Sequence, residues 1–362
     1  MPSVAEVRAA LSRVEEPELH RDLVFLNMVK AISVEGDRVS VTIELTTPAC
    51  PLKDELRSRI EKEIRALTGV AAVQIEFTAR VAQARPVSAK AAIDGVKNIF
   101  AVYACKGGVG KSTVATNLAC ALAARGAAVG LLDADIHGPN IPLMMGATGR
   151  ALVSGQNRIT PITAHGVKTM SLAYVMDENA PKIWRGPMVH GAIQQLLRDT
   201  DWGELDYLVI DLPPGTGDAQ LTVIQTVPLS GVVFVSTPQA VSLLDGVKGI
   251  GMFAKLTVPM LGLIENMSGF RCPHCGEVTN IFSAGGGEAE ARRQKIPFLG
   301  ALPLDPDIVS GGDSGRPVVV AKPDSDSAQR FFRMAERVAA GISVANLSQM
   351  PVTPIPASPN RS

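Results

Sequence analysis

Between an apolar run at residues 99–104 and an Ala- and Leu-rich stretch at 114–124 lies Cys105-Lys106-Gly107-Gly108-Val109-Gly110-Lys111-Ser112-Thr113. This arrangement, with glycines, a lysine and a hydroxyl at the start of a helix, makes a phosphate-binding loop. Successive N–H groups and the helix dipole cradle the anion, and the last lysine reaches the β- and γ-phosphates. Lys111 is that lysine, Ser112 is the expected Mg2+ ligand, and Thr113 adds a donor to phosphate. Gly107, Gly108, Val109 and Gly110 form the cradle. Cys105 stands where the strict GxxxxGKS/T pattern has its first glycine, and is read as a tolerated replacement. Lys106 is a second lysine that an ordinary loop does not need. So close to phosphate, it is either neutralised by a ligand or points away.

Ligands of open α/β sheets bind beyond the carboxyl ends of the strands, so the polar residues after each apolar run come next. Asp133-Ala134-Asp135 puts two carboxylates two residues apart, on one side of the chain if the strand geometry persists. The run 207–210 ends in Asp211-Leu212-Pro213-Pro214-Gly215-Thr216-Gly217-Asp218. A carboxylate closing a buried strand beside Mg2+ matches charge across the site, so Asp211 is the expected metal partner, through water. Gly215, without a Cβ, can present its amide to the γ-phosphate. After 260–264 comes Glu265-Asn266-Met267-Ser268. The Asn266 amide suits the edge of adenine or, alternatively, is a buried structural group.

Phe270-Arg271-Cys272-Pro273-His274-Cys275 carries a C-x2-C pair, half of a four-ligand site. No second such pair follows. His274 reads as solvated or behind the ligands. Two copies of the chain across a two-fold axis would offer four thiolates, the ligand set of a 4Fe-4S cluster or a tetrahedral zinc site. A redox dithiol and a pair of inert thiols are the other readings.

Taken in order, CKGGVGKST, DADIHGPN, DLPPGTGD, ENMSGF and CPHCG resemble the Mrp/ApbC family of P-loop iron-sulfur cluster carrier ATPases, which share the deviant phosphate loop of the MinD/ParA class. The resemblance implies a homodimer in which Lys106 crosses to the partner's nucleotide. It also implies that Asp135, on switch I, orients the attacking water, leaving a helix cap or loop carboxylate as its bland alternative. DLPPGTGD corresponds to switch II, and Asn266 to the family's base-recognising asparagine. The implied cofactors are ATP, Mg2+ and a 4Fe-4S cluster at Cys272 and Cys275. The implied activity is slow ATP hydrolysis coupled to passing clusters between scaffold proteins and apo clients. Glu16-Pro17-Glu18-Leu19 and Thr46-Thr47-Pro48-Ala49-Cys50-Pro51 resemble the small PaaD-like iron-sulfur assembly domain. There Cys50 would bind iron or clusters transiently, unless it is a partly buried thiol. A MinD/ParA-like positioning ATPase and a zinc-stabilised nucleotide-dependent chaperone are the rival functions.

The elements that must hold these groups fall into two patterns. Residues 1–82 show helical spacing at 4–14, alternation at 39–45, an amphipathic stretch at 52–67 and alternation again at 73–81, a small α+β domain. Cys50 precedes the second helix, where the dipole is expected to make a thiol more acidic. Residues 83–95 read as a linker. From 96 to 345, continuous apolar runs at 99–104, 129–132, 207–210, 232–236, 260–264 and 298–302 alternate with helical stretches, closing on a helix at 328–340. Strands apolar on both faces imply a mostly parallel, doubly wound α/β sheet with helices on both faces, a P-loop NTPase fold. Residues 346–362 form a proline-rich tail expected to be disordered.

Composition sets the outer bounds. Of 362 residues, 46% are hydrophobic but only 4% aromatic, which suits Ala-, Val-, Leu- and Ile-filled layers. Lysines and arginines number 35, as do aspartates and glutamates, so no net charge draws the chain to nucleic acid or an anionic membrane. Without a leader-like N-terminus or a long apolar run, a cytoplasmic protein is expected. Five cysteines are too few for a disulfide scaffold. Cys120, inside an apolar helix, is expected in the core.

Overall fold

The computed structural model describes residues 2–84, 91–136, 138–153, 158–176, 186–272 and 274–348. His137, Pro273, residues 85–90 of the expected linker and the proline-rich tail from 349 lie outside the described residues.

The N-terminal region packs α1 (Val4–Leu11) and α2 (Lys53–Arg65) on a sheet of β1 (Val29–Glu35), β2 (Arg38–Leu45) and β3 (Ala72–Ala79). A capping box starts α1, with Ser3 N donating to Glu6 at 2.7 Å and Glu6 N to Ser3 Oγ at 3.2 Å. The helix ends at Leu11, short of the expected 14, because Val14 turns away to accept Leu23 N at 3.1 Å. β1 and β2 are antiparallel, whereas β2 and β3 run parallel across α2. Val39, Val41, Ile43 and Leu45 alternate inward onto Leu56, Ile60 and Ile64, all buried.

The larger region begins with β4 (Val96–Tyr103), α3 (Lys111–Ala124), β5 (Val129–Asp133) and a hairpin of β6 (Ile162–Ala164) and β7 (Val167–Ser171). It continues through α4 (Gly186–Arg198), β8 (Leu205–Asp211), α5 (Asp218–Thr226), β9 (Gly231–Ser236), α6 (Ala240–Lys255) and β10 (Met260–Glu265). A small ribbon of β11 (Phe270–Arg271) and β12 (Val278–Thr279), then α7 (Gly286–Gln294), β13 (Phe298–Ala301) and α8 (Asp326–Ser348) complete it. Among the described residues eight strands form the main sheet in the order β13-β10-β9-β4-β8-β5-β7-β6, parallel except for the β6–β7 hairpin. Right-handed crossovers put α3 and α8 together on one face, and the helices following β8, β9 and β10 on the other.

β4, β5, β8 and β9 have nearly every residue buried, and the chain leaves β4 towards β5 but β8 towards β9, in opposite directions along the sheet. Their carboxyl ends therefore open a crevice. Beneath it Tyr103, Phe234 and Phe253 meet edge to face, with ring centroids 5.0–5.8 Å apart. At one edge of the sheet, α8 closes β13 with two arginines: Arg330 donates to Ala301 O at 3.1 Å and Arg337 to Leu299 O at 2.9 Å. Among the described residues no helix is long and apolar enough to cross a membrane.

Phe253→Ala empties the aromatic floor and is expected to cost about 3–5 kcal/mol, seen as an earlier chemical denaturation midpoint. An unchanged midpoint would show that the floor does not support the sheet.

Candidate functional site

The phosphate loop runs from the end of β4 into α3. Gly110 caps the helix at φ 83°, and a Cβ on it would sit 2.1 Å from Asn266 Nδ2, so only glycine fits there. Lys111 is buried and donates to Asp211 Oδ1 at 2.6 Å, while Ser112 Oγ donates to Asp211 Oδ2 at 2.6 Å. The structure thus brings Lys111, Ser112 and Asp211 together. Oxygen atoms of Ser112 and Asp211 this close are a donor set that fits a hard divalent cation such as Mg2+. Thr113 is half-buried beside them, and Lys106, Gly107 and Gly108 are exposed.

Asp211 and Asp133 are register partners on adjacent parallel strands, so two carboxylates lie side by side in the sheet. Both are buried. Burial, then the neighbouring Asp211, push the Asp133 carboxyl from 3.8 to about 8. Burial also pushes Asp211 upward, against the Lys111 ammonium and the hydroxyl of Ser112. Asp133 accepts Asp135 N at 3.1 Å, Ile141 N at 3.2 Å and Ser171 Oγ at 3.2 Å. It is therefore the anchor of the loop that carries Asp135, a role the sequence reading did not give it. Its spacing from Asp135 was the available signal.

Two expected contacts take a different form. Gly215 N donates to Ala104 O at 3.1 Å, so in this conformation its amide serves the base of the loop. Asn266 is buried and donates through Nδ2 to Val109 O at 2.8 Å. Its donor half is spent on the phosphate loop itself, as the structural-amide alternative had it. Cys105 is half-buried, 3.1 Å from the Tyr103 hydroxyl, and fills a notch of α6 at Gly249, where a Cβ would come within 2.8 Å of the sulfur. Gly249 is thus what accommodates a side chain at the first loop position.

Six residues beyond Asn266, the β11–β12 ribbon presents the cysteine pair. Cys272 N donates to Glu277 O and Gly276 N to Cys272 O, each at 2.9 Å, closing a knuckle turned by Gly276 at φ 75°. Cys272 is half-buried and Cys275 exposed. The N–H groups of Cys275 and His274, then the Cys275 thiol, hold the Cys272 thiol below its usual range. That favours the thiolate, the form that binds metal. Among the described residues no group of three or more His, Cys, Asp or Glu side chains is placed to hold a metal.

Cys50 corrects an expectation. Burial pushes its thiol up to about 11, so it does not gain the acidity expected of a helix start. The helix N–H nearest it, at Leu52, is outweighed by burial, and the carboxylates of Glu18, Glu16 and Glu336 add to the rise. Nor does it join the other site residues: Thr47, three residues before it, accepts the Tyr207 hydroxyl at 2.9 Å near the start of β8, away from the crevice. Cys120 lies in the core as expected, 3.8 Å from the Met145 sulfur.

Comparison with known proteins identifies the family of each region. Residues 95–339 match the family described as NUBPL iron-transfer P-loop NTPase, and residues 4–77 the family described as iron-sulfur cluster assembly protein. An iron-sulfur cluster carrier protein of Synechocystis is 46% identical over 347 residues, covering 94% of this chain and 98% of the relative. A nucleotide-binding protein of Archaeoglobus fulgidus, solved with ADP, is 40% identical with a TM-score of 0.56, covering 64% of this chain and 91% of that one. The septum site-determining protein MinD of Pyrococcus horikoshii, solved with Mg-ADP, is 25% identical with a TM-score of 0.51, covering 67% of this chain and 95% of that one.

The raised Asp133 carboxyl makes stability depend on pH. The folded chain keeps that proton up to about pH 8 and the unfolded chain releases it near the ordinary 3.8, so this contribution is full below that value and is lost as pH rises through about 8. Asp133→Asn should flatten the dependence of denaturation midpoint on pH across this window. A variant with the wild-type slope would place the proton elsewhere.

Proposed function

This chain belongs to the NUBPL-type iron-transfer P-loop NTPase family, with an iron-sulfur cluster assembly domain before it, and on that premise we propose that it is an ATP-dependent iron-sulfur cluster carrier. Two copies bind ATP, hold a 4Fe-4S cluster between their Cys272 and Cys275 pairs, and pass it to apo-proteins. The observation that carries the reading is the cysteine knuckle, with its lowered Cys272 thiol, set six residues from the asparagine bonded to the phosphate loop.

The residues around the crevice have distinct tasks in this reading. Lys111 leaves Asp211 for the β- and γ-phosphates of ATP, exchanging one anion for another without crossing the site. Ser112, and Asp211 through water, hold Mg2+, which supplies neutralising charge to the phosphate oxygens. Asp135, on the loop anchored by Asp133, orients the attacking water. Gly215 turns its amide from Ala104 O to the γ-phosphate. Gly107, Gly108, Val109, Gly110 and Thr113 line the phosphates, and Asn266 keeps its carbonyl oxygen for the base. Lys106, exposed on the loop, reaches the nucleotide of the second copy. The cluster is cargo: each chain contributes two thiolates, and the homodimer completes the set of four. ATP binding favours one dimer arrangement and its hydrolysis the other, so cluster affinity follows the nucleotide state.

Anaerobic reconstitution with iron and sulfide tests this. The expected product is a dimer with about four iron and four sulfide per two chains and visible absorption typical of a cluster. Cys272→Ala and Cys275→Ala should each abolish it. Substoichiometric iron that ignores both substitutions, or zinc as the metal retained without oxygen, would sink the carrier reading.

A further inference from the structure

Glu265, the last residue of β10, is completely buried, and no ion pair accompanies it among the described residues. Its carboxylate is instead held by three donors. One oxygen accepts the Ser268 hydroxyl and Gly285 N, the latter at 2.9 Å; the other accepts Gly287 N at 2.5 Å. The two amides open α7, so the charge rests on the positive end of a helix dipole. The approach depends on bare backbone: a Cβ on Gly287 would stand 3.0 Å from the carboxylate.

This group sits at a junction. Its neighbour Asn266 reaches back to Val109 O in the phosphate loop. Ahead, Ser268 N donates to Leu302 O and Leu304 N to Gly269 O, each at 2.8 Å, and Phe270 bridges Leu304 before the chain enters the knuckle at Cys272. Met267, at φ 59°, takes a left-handed conformation that a side chain adopts only when its surroundings impose it. The segment 265–272 is therefore a strap with little slack, tied at one end to the phosphate loop and at the other to the cysteines.

We infer that Glu265 is a positioning residue that couples occupancy of the phosphate loop to the exposure and reactivity of the Cys272/Cys275 pair. Nucleotide draws on the backbone at Val109 and Gly110 and so displaces the Asn266 amide. Glu265, fixed to the start of α7 and gripping Ser268, keeps the strap from absorbing that displacement, and the knuckle moves. The inference rests on the nucleotide-binding part of the proposed function and not on the cargo, so the thiols can be followed in protein that carries no cluster.

The experiment is peptide-resolved alkylation of the full chain by iodoacetamide under reducing, metal-free conditions, with and without Mg-ATP. Wild-type protein should show a nucleotide-dependent change in Cys272 alkylation of about fivefold or more, the lower end of ordinary coupling, with Cys50 unchanged as the internal reference. Glu265→Gln replaces one accepting oxygen by a donor. It should bring the ratio close to one while ATP still binds. Ser268→Ala, which leaves the carboxylate on α7, should reduce the ratio and keeps the test valid if the first variant does not fold. A ratio retained in Ser268→Ala and in any folded Glu265→Gln, equal acceleration at Cys50 and Cys272, or no nucleotide dependence in the wild type would overturn the inference. Failure to load iron in reconstitution, with the alkylation ratio intact, would instead overturn the cargo alone; a chain that binds no nucleotide overturns both.

Discussion

Lys111, Asp211 and Asp133 share a space from which water is almost excluded, and the crevice is organised around satisfying them. Removing either member of a buried ion pair strands the other at a cost of about 3–5 kcal/mol. The pair is possible here because Ser112 donates to the same carboxylate and the second carboxyl retains a proton to about pH 8. Lys111 is thus already neutralised by Asp211. Any anion brought to Lys111 would have to compete with this internal carboxylate.

The same crevice shows how backbone economy sets its shape. Gly110 lets an asparagine side chain lie on the phosphate loop, Gly249 makes room for Cys105, and Gly287 admits Glu265 to the start of a helix. Each glycine serves a side chain from elsewhere in the fold.

The parallel sheet was legible in the sequence because strands buried on both faces leave continuous apolar runs, and all six expected runs overlap observed strands within a few residues. The runs at 205–206 and 96–98 extend earlier than expected since Asp206 and Asn98 interrupt the apolar pattern. Both are held by partners, Lys97 and Ala128 N for Asp206, Ala82 O for Asn98. β1 and the β6–β7 hairpin were not foreseen. β6 has only three residues and turns into β7 through His165 and Gly166, both at positive φ, a signal too local to register as a strand pair. The meeting of Lys111, Ser112 and Asp211 was legible because polar residues that follow the strands of an open α/β sheet gather at their carboxyl ends. What Glu265 and Gly249 do depends on neighbours far along the chain, which no local pattern states. Cys50 failed for the same reason, because burial by distant residues overrode the helix start beside it.

Arg330 and Arg337, two turns apart on α8, occupy the outward carbonyls of the edge strand β13. An uncovered edge is a template on which another chain can add a strand. With those acceptors taken by guanidinium groups, the sheet cannot be continued into a neighbouring molecule along that side. Open-ended polymerisation by strand addition is therefore blocked at that edge.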